Sequence, residues 1–198
     1  MVEVDGDAEL MLQVGGGDRR AFAALFDRHS PGVTRFAYRF VGDRARAEEL
    51  AQDIFVKLFQ GAREYRPTAR FKTYLYRVAS NHCLNELRRQ EYRVTHTTPE
   101  EEAAHADPPQ LRAEGGPEQD LDGRELERTV QRAMAKLSDR ERAAFCMCRF
   151  EGMAYREIAL ALEASEAAIK SLIHRATLAV AQQLQSLSPG SSPVGSKG

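Results

Sequence analysis

Residues 154 to 176 (AYREIALALEASEAAIKSLIHRA) hold two short apolar-periodic segments with almost no chain between them, which restricts the folds open to this part of the sequence. Tyr155, Ile158, Ala159 and Leu162 share one face of the first segment. Ile169, Leu172, Ile173 and Ala176 in the second follow the i, i+3, i+4, i+7 spacing of an amphipathic helix. Glu163, Ala164 and Ser165 separate the two, too few residues for an unstrained antiparallel hairpin, and Ser165 is a favourable N-cap for the second helix. Helices crossing steeply through so short a turn form a helix-turn-helix, whose second helix fits a DNA major groove. Lys170, Ser171, His174 and Arg175 fall off the apolar stripe, where a groove-reading helix needs polar and cationic groups. A helical hairpin inside a small bundle would show the same pattern, so on this segment alone both readings stand.

The remaining sequence is also helical in pattern, and it divides in two. Residues 1–17, ending in Gly15-Gly16-Gly17, suggest a flexible lead-in. Asp18 caps an expected helix with Phe22, Leu25 and Phe26 on one face, and Pro31 at an N1 position is expected to open a second with Val33, Phe36, Ala37 and Phe40 inward. Gly42-Asp43 precedes a third helix. In it Ala47, Leu50, Ala51, Ile54, Phe55, Leu58 and Phe59 keep the apolar spacing, and Glu48, Glu49, Gln52, Asp53 and Lys57 form the other face. A fourth follows Pro67, from about Arg70 to Arg89. Four helices around one apolar centre give a first all-α domain over residues 18–90. Patterning disappears over residues 91–122, where Pro99, Pro108-Pro109 and Gly115-Gly116-Pro117 mark a flexible linker. It resumes with Leu126, Val130, Ala133, Met134 and Leu137, then with a capping box at Ser138-Asp139-Arg140-Glu141, and leads into the helix-turn-helix. The expected fold is therefore all-α: two small helical domains, 18–90 and 123–187, joined by an acidic linker and followed by a disordered tail at 188–198.

Charge supports this division. The whole chain has a formal net charge of −1, yet residues 91–123 carry nine acidic against two basic side chains, leaving the rest at +6. Such segregation suits a nucleic-acid binder with an acidic connector. Three widely split cysteines, Cys83, Cys146 and Cys148, suggest no disulfide framework and a reducing interior. The acidic start of the chain shows no basic targeting region, and no apolar run is long enough to span a bilayer, so a cytoplasmic location without membrane insertion is expected. Cys146 and Cys148, at i and i+2 on a helix, point apart and would not share a metal ion easily. No phosphate loop, HExxH pattern or catalytic carboxylate pair occurs, so neither metal nor other cofactor nor enzymatic activity is expected.

The fourth helix, FKTYLYRVASNHCLNELRR (Phe71 to Arg89), sets the aromatics Phe71, Tyr74 and Tyr76 beside the cations Lys72 and Arg77, with Asn81, Asn85 and Arg88 further on. Aromatic faces suit unstacked bases, cations suit phosphates and Asn suits base edges. For Phe71 and Leu75 a place in the core is the better expectation.

With these residues in view, the chain resembles the extracytoplasmic-function class of bacterial RNA polymerase sigma factors. RAEELAQDIFVKLF (Arg46 to Phe59) is similar to the family's region 2.2, the fourth helix to regions 2.3 and 2.4, and LSDRERAAFCMCRFEGMAYREIALALEASEAAIKSLIHRA to region 4. The resemblance implies that Glu49, Gln52 and Asp53 dock on the coiled coil of the polymerase's largest subunit. It gives Phe71, Lys72, Tyr74 and Arg77 to duplex opening, and Asn81, Asn85 and Arg88 to the −10 element. Ser165, Lys170, Ser171, His174 and Arg175 go to the −35 element, and the linker to the path of nascent RNA. Implied partners are core RNA polymerase, including the flap of its second-largest subunit, promoter DNA, and an anti-sigma factor that could hold the chain near a membrane. The chain departs from the family pattern at five positions. Tyr74 stands for Trp, Asn85 for Asp, Ala154 for a Ser N-cap, Glu163 for a turn Gly and Leu172 for Arg, which bears on −35 binding. A helix-turn-helix regulator acting without polymerase, and a sigma-like interaction protein that does not direct initiation, remain alternatives from other classes.

Overall fold

The computed structural model describes residues 5–96 and 121–187, and every regular element among them is helical. The expected linker over residues 97–120 and the tail from 188 onward lie outside the described residues.

Helix α1 (Gly6–Gly15) occupies the expected flexible lead-in, a correction with a clear physical basis. It buries Ala8, Met11 and Val14. Asp5 caps it by accepting from the Ala8 N–H at 2.7 Å, and its other carboxylate oxygen accepts from the Phe71 N–H at 3.2 Å, so one side chain ties two helix N-termini together. The glycine run allows close approach rather than freedom: a Cβ on Gly15 would lie 2.6 Å from the Ala62 carbonyl oxygen.

Helix α2 (Arg19–Val41) is continuous, where two helices broken at Pro31 were expected. Ala21 and Leu25 before the proline and Val33, Phe36, Ala37 and Phe40 after it all face one core. Burial of these six side chains outweighs the roughly 3 kcal/mol that an interior proline costs. Helix α3 (Arg44–Gly61) is capped by Asp43 and buries Ala47, Leu50, Ala51, Ile54, Phe55 and Leu58. Phe59, expected inward, is 47% exposed. A 3₁₀ turn (Ala62–Glu64) leads to helix α4 (Phe71–His96), which runs beyond its expected end near Arg89 into the expected linker. The N-terminal domain is thus four helices, though not the four expected.

Helices α5 (Leu121–Ala135), α6 (Asp139–Arg149), α7 (Tyr155–Ala161) and α8 (Glu166–Leu187) build the C-terminal domain. At the start of α6 the Glu141 carboxylate accepts both the Ser138 N–H, at 3.1 Å, and its hydroxyl, at 2.7 Å. Ala154 before α7 has no side-chain oxygen to offer, so only half a capping box forms there, with Glu157 accepting from the Ala154 N–H at 2.9 Å. Ser165 caps α8 as expected, accepting from Ala168 N–H at 3.2 Å.

The two domains are in contact, and their buried apolar residues form one continuous cluster. Arg142 is the central tie. It is buried in α6 and donates to the Met134, Ala135 and Leu137 carbonyls of its own domain and to the Phe40 carbonyl, at 3.1 Å, of the other. Among the described residues no carboxylate hydrogen-bonds to it; the carbonyl ends of α2 and α5 supply the negative charge. Gln131 donates to the Tyr38 carbonyl at 3.0 Å, and the Arg39 guanidinium lies 3.7 Å from the centre of the Phe150 ring.

Candidate DNA- and polymerase-binding surfaces

At 100° per residue, Tyr74, Arg77, Asn81, Asn85 and Arg88 fall within one quadrant of α4. Arg77, Asn81, Asn85 and Arg88 are exposed and Tyr74 is half-buried, so five of the seven residues assigned to the −10 region share a face. Phe71 does not belong there: it is fully buried, with its ring centre 5.3 Å from that of His29 and 6.4 Å from that of Tyr65. Nor does Lys72, which leaves α4 on its opposite side and donates to the Glu151 carbonyl of the C-terminal domain at 2.6 Å.

A cleft that no sequence pattern announces opens at the head of that face. It lies between the 61–69 segment and the first turns of α4 and has a volume of about 430 Å³. Tyr65, Arg66, Thr73, Tyr74 and Arg77 are among its lining residues. The Tyr65 and Tyr74 rings are 4.9 Å apart, and the Arg77 guanidinium sits 5.4 Å from the Tyr74 ring centre. Two lining hydroxyls, on Tyr65 and Thr73, are buried with no hydrogen-bond partner among the described residues. Burial pushes the Tyr65 phenol up to about 12 and also raises Tyr74, so both stay neutral donors. An aromatic cleft with a cation at its edge has the chemistry to hold a flat heterocycle and its phosphate. Tyr74, which the family pattern gives as Trp, supplies part of the wall.

Glu49, Gln52 and Asp53 are exposed together on α3, where they were expected. Arg46 bonds Glu49 at 2.7 Å and also engages the buried Glu86 of α4, which fixes the start of this surface to the domain. His82 approaches Asp53 to 3.5 Å, too long to satisfy its buried Nε2. Burial, and after it Lys57, depress the His82 pKa, while Asp53 opposes the shift. Beyond Asp53 the same face of α3 turns apolar, with Val56 51% exposed beside Phe59. Phe22 of α2 stacks edgewise on Phe59 at 5.1 Å, and Phe26 on Phe55 at 4.8 Å. This aromatic ridge was missed because Phe59 and Phe26 complete the apolar periodicity of their helices; only the packing shows them at its edge.

On α8, Lys170, Ser171 and His174 are exposed on one side, with Ser165 at the cap. Arg175 is exposed too, yet its Nε donates to Glu141 at 2.7 Å, joining α8 to the start of α6. Burial would raise the Glu141 pKa, but the Ser138 and Arg175 hydrogen bonds outweigh it and lower the pKa, keeping the pair charged. Arg175 thus orients α8 against the start of α6. Leu172, where the family pattern has Arg, is half-buried against the core and offers no phosphate contact. In the turn, Glu163 has φ +50°, and the Ala164 N–H reaches the Ala159 carbonyl at 3.0 Å. This is the 6→1 bond of a Schellman motif with Glu163 at the left-handed C′ position. Among the described residues no cluster of histidine, cysteine and carboxylate side chains fits a metal ion, and no helix is long and apolar enough to cross a membrane.

The chain matches the Sigma-70 region 2 family over residues 25–93 and the Sigma-70 region 4 family over residues 127–189. It is 31% identical to RNA polymerase sigma-H factor of Pseudomonas aeruginosa over 94% of this chain and 98% of that one. It is 30% identical to ECF RNA polymerase sigma factor SigM of Mycobacterium tuberculosis, over 93% of this chain and 87% of that one. Among solved structures, CnrH in complex with the cytosolic domain of CnrY superposes with a TM-score of 0.69 at 23% identity, covering 93% of this chain and 100% of that one. RpoE of Bartonella quintana, in complex with the anti-sigma factor NepR, gives 0.64 at 20%, covering 83% and 96%. These two likenesses concern the fold. With both sigma regions matched in order and relatives aligned over nearly their whole length, this chain belongs to the extracytoplasmic-function class of RNA polymerase sigma factors.

Proposed function

We propose that this sigma factor divides promoter recognition and polymerase docking among the three surfaces described above. The Tyr65–Tyr74–Arg77 cleft takes an unstacked base of the −10 strand, and Asn81, Asn85 and Arg88 follow that strand along α4. The observation that carries this assignment is the Tyr65–Tyr74 ring pair with the Arg77 guanidinium 5.4 Å from the Tyr74 ring centre, an aromatic face for a base beside a cation for its phosphate. Lys170, Ser171 and His174 face the −35 duplex, Ser165 caps their helix, and Arg175 holds it in place through Glu141. Glu49, Gln52 and Asp53 dock on the largest-subunit coiled coil, and the ridge of Val56, Phe59 and Phe26 extends that contact with apolar area. The chain works in the cytoplasm as a specificity subunit and catalyses no reaction itself. The flap of the second-largest subunit takes the C-terminal domain, and an anti-sigma factor competes for these surfaces.

Run-off transcription with purified core polymerase tests the assignment. Thr73→Val with Tyr74→Ala is expected to reduce template-specific transcripts at least tenfold without weakening polymerase binding. Undiminished transcription by that pair would remove the cleft from the mechanism. Transcripts that do not depend on this chain would favour the sigma-like interaction protein instead.

A further inference from the structure

We propose that helix α1 is the brace of the base cleft, and that Asp5 and Gly15 at its two ends are positioning residues for base capture that do not themselves touch DNA. The inference rests on the reading of the Tyr65–Tyr74–Arg77 cleft given above and concerns what holds that cleft in shape.

One wall of the cleft is irregular chain. Residues 65–70, between the 3₁₀ turn and α4, belong to no helix, and Pro67 supplies no N–H. Within this stretch the Tyr65 N–H reaches back to the Ala62 carbonyl at 3.3 Å, and the Thr68 N–H to the Arg66 carbonyl at 2.8 Å. Yet Tyr65 is buried, with its ring 4.9 Å from that of Tyr74. A segment without a regular hydrogen-bond ladder holds a ring so closely only when its ends are anchored from outside.

Helix α1 anchors both ends. At its C-terminus, Gly15 lies against the Ala62 carbonyl so closely that a Cβ would come within 2.6 Å of the oxygen. That same oxygen accepts the Tyr65 N–H, so α1 bears directly on the bond that sets the Tyr65 backbone. At its N-terminus, Asp5 accepts from the Phe71 N–H at 3.2 Å with one carboxylate oxygen while the other caps α1. Arg70, the residue before α4, has no side-chain acceptor to offer that N–H, and Asp5 supplies one from 66 positions away. Phe71 in turn sets its ring centre 6.4 Å from that of Tyr65 and 6.5 Å from that of Tyr74. After burial, the Asp5 carboxylate is the next cause of the raised Tyr65 pKa, which puts it within electrostatic reach of the phenol.

Between the two contacts Ala8, Met11 and Val14 are buried, so α1 is seated firmly on the N-terminal core. In a close-packed interior, a shift at either end of the helix passes to the two rings that a base would meet. Helix α1 lies ahead of residues 25–93, the stretch that matches the region 2 family, and the roles assigned above include none for it.

The test uses holoenzyme assembled from purified core polymerase and the full-length chain. Two labelled probes are titrated: a mixed-sequence single-stranded 20-mer, and a 20-mer of abasic sites that keeps the phosphates and lacks the bases. The ratio of their dissociation constants reads base capture apart from attraction to the backbone. Asp5→Ala removes both acceptors, and Gly15→Ala pushes α1 off the Ala62 carbonyl. Each should lower the preference for the base-bearing strand at least fivefold, with affinity for the abasic strand and for core polymerase within about twofold of the parent. Asp5→Asn, which keeps one acceptor oxygen, should fall between Asp5→Ala and the parent. Two controls should keep the parent's preference: Gly6→Ala on the same helix, where a Cβ meets nothing within 4 Å, and Asp18→Ala, which removes the cap of α2. An unchanged preference in Asp5→Ala and Gly15→Ala would overturn the proposal. So would an equal fall in Asp18→Ala, because general loss of stability would then account for the effect. Thr73→Val with Tyr74→Ala separates the brace from the cleft. If that pair leaves the preference intact, the cleft reading fails and the brace with it; if the pair lowers it and the α1 variants do not, the brace alone fails.

Discussion

Replacing Glu163 by glycine should stabilise the C-terminal domain without touching its recognition face. The residue holds the left-handed C′ position of the α7 Schellman motif at φ +50°. An L-residue there costs about 1–2 kcal/mol from the clash between its Cβ and the backbone, and glycine removes that cost. Glycine also carries more backbone freedom in the unfolded chain, which offsets about 0.5–1 kcal/mol. The Glu163 side chain is exposed and makes no hydrogen bond to another described residue. The expected net gain is therefore about 0.5–1 kcal/mol, a rise of roughly 1–4 °C in Tm for a chain of this size. Differential scanning calorimetry of the parent, Glu163→Gly, Glu163→Asn and Glu163→Ala chains separates backbone strain from side-chain effects. Alanine removes the same side chain but keeps its Cβ, so it should leave Tm unchanged, with asparagine between alanine and glycine. Equal shifts for alanine and glycine, or destabilisation by glycine, would refute the strain argument.

Three other perturbations address separate parts of the molecule. Arg142→Met strands four backbone carbonyls beneath the domain seam and should cost about 3–5 kcal/mol in urea unfolding, with faster Cys146 alkylation at denaturant concentrations well below the transition. Charge reversal at Asp53, or Phe59→Ser on the neighbouring ridge, should weaken association with core polymerase at least tenfold by native gel shift while far-ultraviolet circular dichroism stays unchanged. His82 is held below its ordinary pKa, first by burial and then by Lys57, so the unfolded chain takes up its proton before the folded one. Stability from this group is therefore full above its unfolded pKa near 6.5 and is lost as pH falls toward the folded value. Chemical unfolding between about pH 5 and 7 should show a slope that His82→Gln reduces; an unchanged slope would remove His82 as its source.

Two comparisons show how local pattern and long-range packing divided the work. At the turn between α7 and α8, three residues between two apolar stripes leave little room for anything but a steep crossing, and Ser165 caps the second helix by contacts within three residues. Such interactions are local and therefore legible. Pro31 and the glycine run at 15–17 misled because their local preferences were outweighed from a distance. The proline sits inside a helix whose halves face one core, and the glycines allow α1 to close on the 3₁₀ turn. Along α4 the sequence marked the residues worth attention, yet period alone could not separate Phe71, buried in the core, or Lys72, turned toward Glu151, from the exposed face.

Side-chain spacing, capping residues and charge segregation along the chain determined by themselves that it would form two helical domains, that one would carry a helix-turn-helix, and which family it resembles, because each depends on residues a few positions apart. The tertiary structure alone decided that Tyr65 and Thr73 share a cleft with Tyr74, that Arg175 is tied to Glu141, and that Glu151 rests on Lys72. Apart from the adjacent Thr73 and Tyr74, those pairs join residues 8 to 79 positions apart, and only the competition among all buried side chains for one continuous core fixes which of them meet.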